Sequence, residues 1–228
     1  TMNDWNYHPI AIVEADDFQD KANRSGIEYL FYWKSKFPKF KITLFTIPDK
    51  TSMEYLKLVG FPNDWVELAV HGFNHTSNYE CWNWDEKGTH ILMDRVERTG
   101  KYIKGFKGPG WMITGDEKGT GSGYKLESPS LLAKDNQAIY KALGDRGYWI
   151  MDRHYNASLR PKDANVICID DNPLIVHLHT WPMETGDMNG RNGFDEVEEF
   201  HGVPWDNQTE FFFMSEAIEK GMITPCQK

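Results

Sequence analysis

Residues 9–18 read Pro9-Ile-Ala-Ile-Val-Glu-Ala-Asp-Asp-Phe18. The part from 9 to 15 is a short, mostly apolar run, as expected of a buried strand. Two carboxylates follow it at once. Similar runs return at 40–47, 66–70, 102–106, 148–151, 166–169 and 174–179. Helical signals fall between them. Ser25-Gly-Ile-Glu28 and Thr51-Ser-Met-Glu54 match the capping box, in which a hydroxyl accepts from an N–H three residues on. Gly60 is placed to end the second helix. Apolar residues recur at helical spacing over 89–98 and 129–143, where Ser128-Pro129 is a suitable opening. Residues 211–219 read as a closing helix. Alternation of this kind implies mostly parallel strands joined by crossover helices. About seven strands predict an α/β fold, a distorted and incomplete (β/α) barrel, with an open doubly wound sheet as the fallback. No repeat, low-complexity tract or Pro/Ser-rich linker interrupts the chain, so 1–228 reads as a single domain. Glycine-rich 115–123 and polar 182–205 read as loops.

The chain has 228 residues and a mass of 26.5 kDa. A chain of this length buries roughly 70% of its unfolded surface and needs no staple merely to fold. Acidic residues number 34 against 25 basic, for a net charge of -9. No basic cluster stands out, which argues against nucleic acid and against an anionic membrane surface as partners. No apolar run approaches the roughly 20 residues of a membrane span. Residues 1–7 lack a basic segment followed by an apolar one, which predicts a cytoplasmic protein. The oligomeric state leaves no signature. Cys81, Cys168 and Cys226 are odd in number and far apart, so reduced thiols are expected rather than a disulfide framework.

In a parallel α/β fold, reactive side chains gather at the carboxyl ends of strands. After the first run, adjacent Asp16 and Asp17 must point in different directions. One can face a metal and the other a reacting water, or both can sit in a solvated loop. After the third run comes His71-Gly-Phe-Asn-His75. Two His at i and i+4 lie on one side of a helical turn, close enough to share an ion. The alternative is one packed and one exposed His, and the apolar strand before them favours the ion. Gly72 lets the chain leave the strand sharply. After the fourth run, Lys107-Gly-Pro109-Gly110-Trp111 forms a tight loop that can present backbone N–H groups. After the last run come His177-Leu-His179-Thr-Trp181. His177 and His179 share a face of the strand. His179 is better placed for chemistry, and His177 reads as a buried, hydrogen-bonded supporter. Trp111, Trp149, Trp181 and Trp205 are candidates to stack on sugar rings or to pack in the core. Trp181 is the strongest site candidate among them.

The order Asp-Asp, His-x3-His, Pro/Gly loop and late His resembles the polysaccharide deacetylases (carbohydrate esterase family 4) over residues 11–181. The resemblance implies a barrel of fewer than eight repeats. It implies Asp16 as catalytic base, His179 as general acid, and Asp17, His71 and His75 as ligands of a divalent metal, usually zinc. The Lys107-Gly-Pro109 loop matches the family's Arg-x-Pro, with the Gly110 N–H at the oxyanion. Asp152 is a loose match for the Asp that orients the acid. Glu14-Ala15, Phe18, Gly72, Lys107 and His177 depart from the family pattern and mark a divergent branch. Lys107 cannot offer the bidentate fork of an arginine.

The expected activity is metal-dependent removal of an N-acetyl group from a sugar or glycan. Two other classes compete. A two-carboxylate glycosidase would use Asp16 or Asp17 with Glu184 and leave His71 and His75 unexplained. A carbohydrate-binding relative would have lost catalysis. A non-haem iron oxygenase is set aside because no His has a carboxylate two residues later.

Overall fold

The structure, a computed structural model, describes residues 9–20, 24–111, 113, 137–153, 161, 165–179 and 205–226. The described strands are β1 (Ile10–Phe18), β2 (Ile42–Thr46), β3 (Val66–His71), β4 (Tyr102–Lys107), β5 (Trp149–Asp152), β6 (Val166–Cys168), β7 (Ile175–His179) and β8 (Glu210–Phe212). The helices are α1 (Arg24–Lys36), α2 (Met53–Leu58), α3 (Glu86–Arg98), α4 (Gln137–Asp145) and α5 (Met214–Glu219). The sheet order is β6-β5-β4-β3-β2-β1-β7, with β8 pairing β1 off that path. This is an incomplete α/β barrel of parallel strands. No helix among the described residues is long and apolar enough to cross a membrane.

The chain divides into two compact units. One comprises Thr1–Leu44, Ser52–Glu67 and Leu174–Lys220; the other comprises Phe45–Thr51, Leu68–Pro173 and Gly221–Lys228. In the first unit, β1 pairs in parallel with β7 over Ile12–Asp16 and with β8 over Ile10–Ile12. α1 turns Ile27, Leu30 and Trp33 inward at three-residue spacing. Trp33 stacks on Phe37, and Trp205 meets both, along with Phe211, edge-on. Trp205 is thus a packing residue rather than a sugar platform. In the second unit, Val70, Phe106 and Ile150 from three strands meet Met93 and Val96 of α3 and Ile139, Tyr140 and Leu143 of α4. Trp149 is likewise core. Its ring lies where a Cβ on Gly105 would stand, 2.2 Å from Cζ2.

Several local expectations shift. β1 runs through Phe18, so Asp16 and Asp17 lie within the strand rather than after it. The ladder to β7 reaches Asp16 and carries the extended backbone past the apolar run. α1 already includes Arg24 and Ser25. The cap of α2 is Ser52, whose hydroxyl accepts from Tyr55 N–H, because the Thr51 hydroxyl donates back to Ile47 O. Val59 and Gly60 (φ 74°) end that helix as expected. Asp85 caps α3 by accepting from Gly88 N–H, so the helix starts at Glu86, three residues before the expected start at Thr89. The closing helix divides into β8 and α5. Glu210 N–H donates to Pro9 O, and Met214 N–H to the Thr43 hydroxyl, which fixes a strand before the helix begins. α4 is described from Gln137, and the remainder of 129–143 lies outside the described residues, as does 115–123.

The cysteine expectation is overturned. Cys168 and Cys226 form a disulfide across 58 residues, leaving Cys81 as a buried thiol. Distance along the chain concealed the pair, but local bonding makes it. Cys226 N–H donates to Val166 O, and Asn172 exchanges side-chain hydrogen bonds with Thr224 N–H and O. A disulfide is at home in oxidising surroundings, so the thiols no longer support a cytosolic reading.

Glu67, on β3, accepts from the Thr43 hydroxyl (2.8 Å) and from both Ser215 N–H (3.1 Å) and its hydroxyl. Burial pushes its carboxyl up, and those hydrogen bonds oppose the rise. A raised native pKa means that the unfolded chain releases this proton first. Stability therefore falls as pH rises from the ordinary carboxyl value, about 4, towards the native one. Glu67→Gln removes that loss. Urea midpoints should move in favour of the variant as pH rises through this window, and a gap that stays constant would show that Glu67 titrates alike in both states.

Candidate functional site

The strand ends hold the polar groups that the sequence singles out. In the first unit, β1 buries Glu14, Asp16 and Asp17 (0, 4 and 9% exposed). The register sets Glu14 beside His177 and Asp16 beside His179. Alternation places Glu14 and Asp16 on one face of β1, and His177 and His179 on one face of β7. The His177 Nδ1–H donates to the Glu14 carboxylate. A carboxylate oxygen accepts, so the proton sits on Nδ1 and Nε2 is left to face Asp16, 3.9 Å from its Oδ2. The His177 and His179 ring centroids are 4.9 Å apart. His177 thus has the supporting hydrogen bond expected of it. Asp17, one residue on, adopts φ 67°, a left-handed backbone that Asp tolerates better than most residues.

In the second unit, His71 closes β3 and is 2% exposed. Its Nδ1 lies 3.0 Å from Lys107 O. The carbonyl accepts, which assigns the proton to Nδ1 and leaves Nε2 as a donor atom for an ion. The chain then turns at Gly72 (φ 62°), where a Cβ would stand 2.6 Å from Glu80 Oε1 and 2.7 Å from Pro109 Cγ. No helical turn follows, contrary to the i, i+4 reading. His71 and His75 are brought together instead by a loop wrapped on Glu80. That buried carboxylate accepts from the N–H groups of Phe73 (2.8 Å), Asn74 (3.1 Å) and His75 (3.1 Å). Three successive donors on one anion hold His75 at φ 47° and the two imidazole centroids 5.0 Å apart.

Around them, Pro109 is buried, and Gly110 (φ 60°) passes so close to Asn78 that a Cβ would meet its Cβ at 2.8 Å. The buried Lys107 ammonium lies 4.1 Å from the Phe45 ring centre and 4.6 Å from that of Trp111. The Arg153 guanidinium also lies over Trp111, at 5.6 Å. Asp152 accepts from the Tyr140 hydroxyl (2.8 Å) and from Arg153 N–H (2.8 Å). Burial, and next the Glu80 carboxylate, push the Cys81 thiol well up, which makes it a packing residue rather than a nucleophile. Trp181 and Glu184 lie outside the described residues.

Among the described residues, two sets, each within one unit, offer one ligand atom per residue within 4.8 Å of one another: Asp16, His177, His179; and Cys168, Asp171, Cys226. The disulfide occupies the two sulfurs of the last. A cavity of about 480 Å³ lined by Gln137, Tyr140, Lys141, Pro161 and Asn165 contains none of the candidate residues.

Sequence reasoning missed Glu14 and Glu80. Glu14 has a signal, a charge in the middle of an apolar strand with a second ionisable group, His177, in the middle of another. Glu80 has none, because its role comes from a turn of the chain that no periodicity reports. No protein-family model, curated protein or solved structure matches the chain.

If Glu80 orders the loop, Glu80→Gln loses one acceptor oxygen and the charge. Hydrogen bonds to a charged group contribute about 1.5–3 kcal/mol. Amide hydrogens of residues 73–75 should then exchange about tenfold faster or more, read by mass spectrometry or NMR. Unchanged exchange would show that the loop holds itself.

Proposed function

We propose that the chain is a metal-dependent hydrolase that removes an N-acetyl group from a sugar or glycan, as a divergent relative of the polysaccharide deacetylases. The observation that carries this reading is the locked His71–His75 pair. A carbonyl orients one ring and a buried carboxylate freezes the loop of the other, which are the supports that metal-ligating imidazoles require. The resemblance assigns the Asp17 carboxylate as the third ligand, for a two-nitrogen, one-oxygen donor set. Three protein ligands of this kind suit a catalytic zinc with positions left for water and substrate. When bound, a divalent ion lowers the pKa of a water towards neutrality and polarises an acyl oxygen.

The chain's own residues supply the remainder. Asp16 takes the proton of the attacking water, whose oxygen bonds to the acyl carbon. The Gly110 N–H, in the turn beside Pro109, donates to the oxygen that gains charge. The acyl C–N bond then breaks, and His179 delivers a proton to the departing amine nitrogen. The products are acetate and the free amino sugar, with no oxidant or further reactant. Trp111, carrying cations over its ring, and Trp181 are assigned to the sugar. The Lys107 ammonium, against the Phe45 and Trp111 rings, supports the loop.

Acetate release from an N-acetylglucosamine oligomer tests the reading, with the protein loaded with one equivalent of zinc. Asp16→Asn should lower turnover by about 100-fold or more while keeping that ion. His75→Ala should lose the ion and the activity together. Absence of acetate from the zinc-loaded wild type, or near-full turnover by Asp16→Asn, would overturn the proposal.

A further inference from the structure

We propose that Asp16, His177 and His179 form a second divalent-cation site. It belongs entirely to the paired strands β1 and β7, so sheet register rather than a loop sets its geometry. One ligand atom from each residue lies within 4.8 Å of the others. The donors are again two imidazole nitrogens and one carboxylate oxygen, a borderline set that suits zinc.

Glu14 distinguishes this site from a chance meeting of polar side chains. It is fully buried in β1, where a lone carboxylate would be costly. By accepting from His177 Nδ1–H it fixes both the tautomer and the plane of the ring, with Nε2 turned to Asp16. A carboxylate bonded to the far nitrogen of a ligating imidazole is the usual outer support of a zinc site. Glu14 and His177 are also two of the positions at which the chain departs from the deacetylase pattern, and they are register partners. A substituted pair that faces itself across one ladder is a single device, not two independent losses.

The site has a consequence that rests on the proposed function. Asp16 and His179 are there the base and the acid, and a cation bound to both blocks the proton transfers. Excess zinc would then inhibit the enzyme that a first zinc activates.

The test is zinc content by elemental analysis of the full chain after dialysis against excess zinc, with binding followed by titration calorimetry. The wild type should hold two ions, and His179→Ala and His75→Ala one each. Glu14→Gln should still hold two, with the weaker event shifted about 10–100-fold in affinity. Glu14→Gln keeps the size of the side chain, so it reads the site even if His179→Ala fails to fold. One ion in the wild type, two in His179→Ala, or an unshifted titration of Glu14→Gln would overturn the proposal. The two proposals fail separately. A single ion, lost in His75→Ala and kept in His179→Ala, overturns this site and leaves the hydrolase reading standing, whereas two ions in the wild type, of which His179→Ala loses one and His75→Ala none, keep this site and remove that reading.

Discussion

Burying a carboxylate in a protein interior is unfavourable unless its oxygens are met by donors. This chain does so repeatedly, and the way each anion is met organises the structure around it. Glu14 is answered by His177, Glu67 by Thr43 and Ser215, Glu80 by three backbone N–H groups, and Asp152 by Tyr140 and Arg153 N–H. Two of these carboxylates tie elements distant in sequence. Glu67 joins β3 to the start of α5, and Glu14 joins β1 to β7 across 163 residues. Removing one partner would strand the other, so these sites resist single substitution more than an apolar core position would.

The same demand shapes the candidate site. Glu80 needs donors and takes them from the loop after β3, and that loop carries His75. Gly72 is the residue that makes room, since any side chain there would strike the Glu80 carboxylate and Pro109. Position 72 is thus glycine for a steric reason visible in this chain. Lys107 packs in the same neighbourhood. Its ammonium lies against the rings of Phe45 and Trp111, whose faces attract a cation.

Strands whose residues are buried on both faces were legible because such burial writes itself as a mostly apolar run. Residues 66–70 and 166–168 are of this kind. The Asp16-Asp17 pair and His71 were legible for the related reason that polar residues ending such runs are conspicuous. What escaped was decided by partners far along the chain. Glu210-Phe-Phe212 has the apolar content of a helix start, yet pairing with β1 draws it out as a strand. Thr51 lost its cap role to Ser52 because its hydroxyl had a carbonyl within reach. The packing roles of Trp149 and Trp205 could not be read from composition, since an indole that fills a core and one that faces a ligand are the same residue.

The Cys168–Cys226 bond has an effect beyond holding the tail. β6 ends the strand order, and an end strand offers a row of N–H and C=O groups on which a foreign strand can template itself. Here Cys226 N–H takes the Val166 carbonyl, and Thr224 is clasped by Asn172 just beyond the strand. The last residues act as a selvedge, a woven border that keeps a sheet from fraying into its neighbour. The covalent link keeps that border in place even when its few hydrogen bonds open.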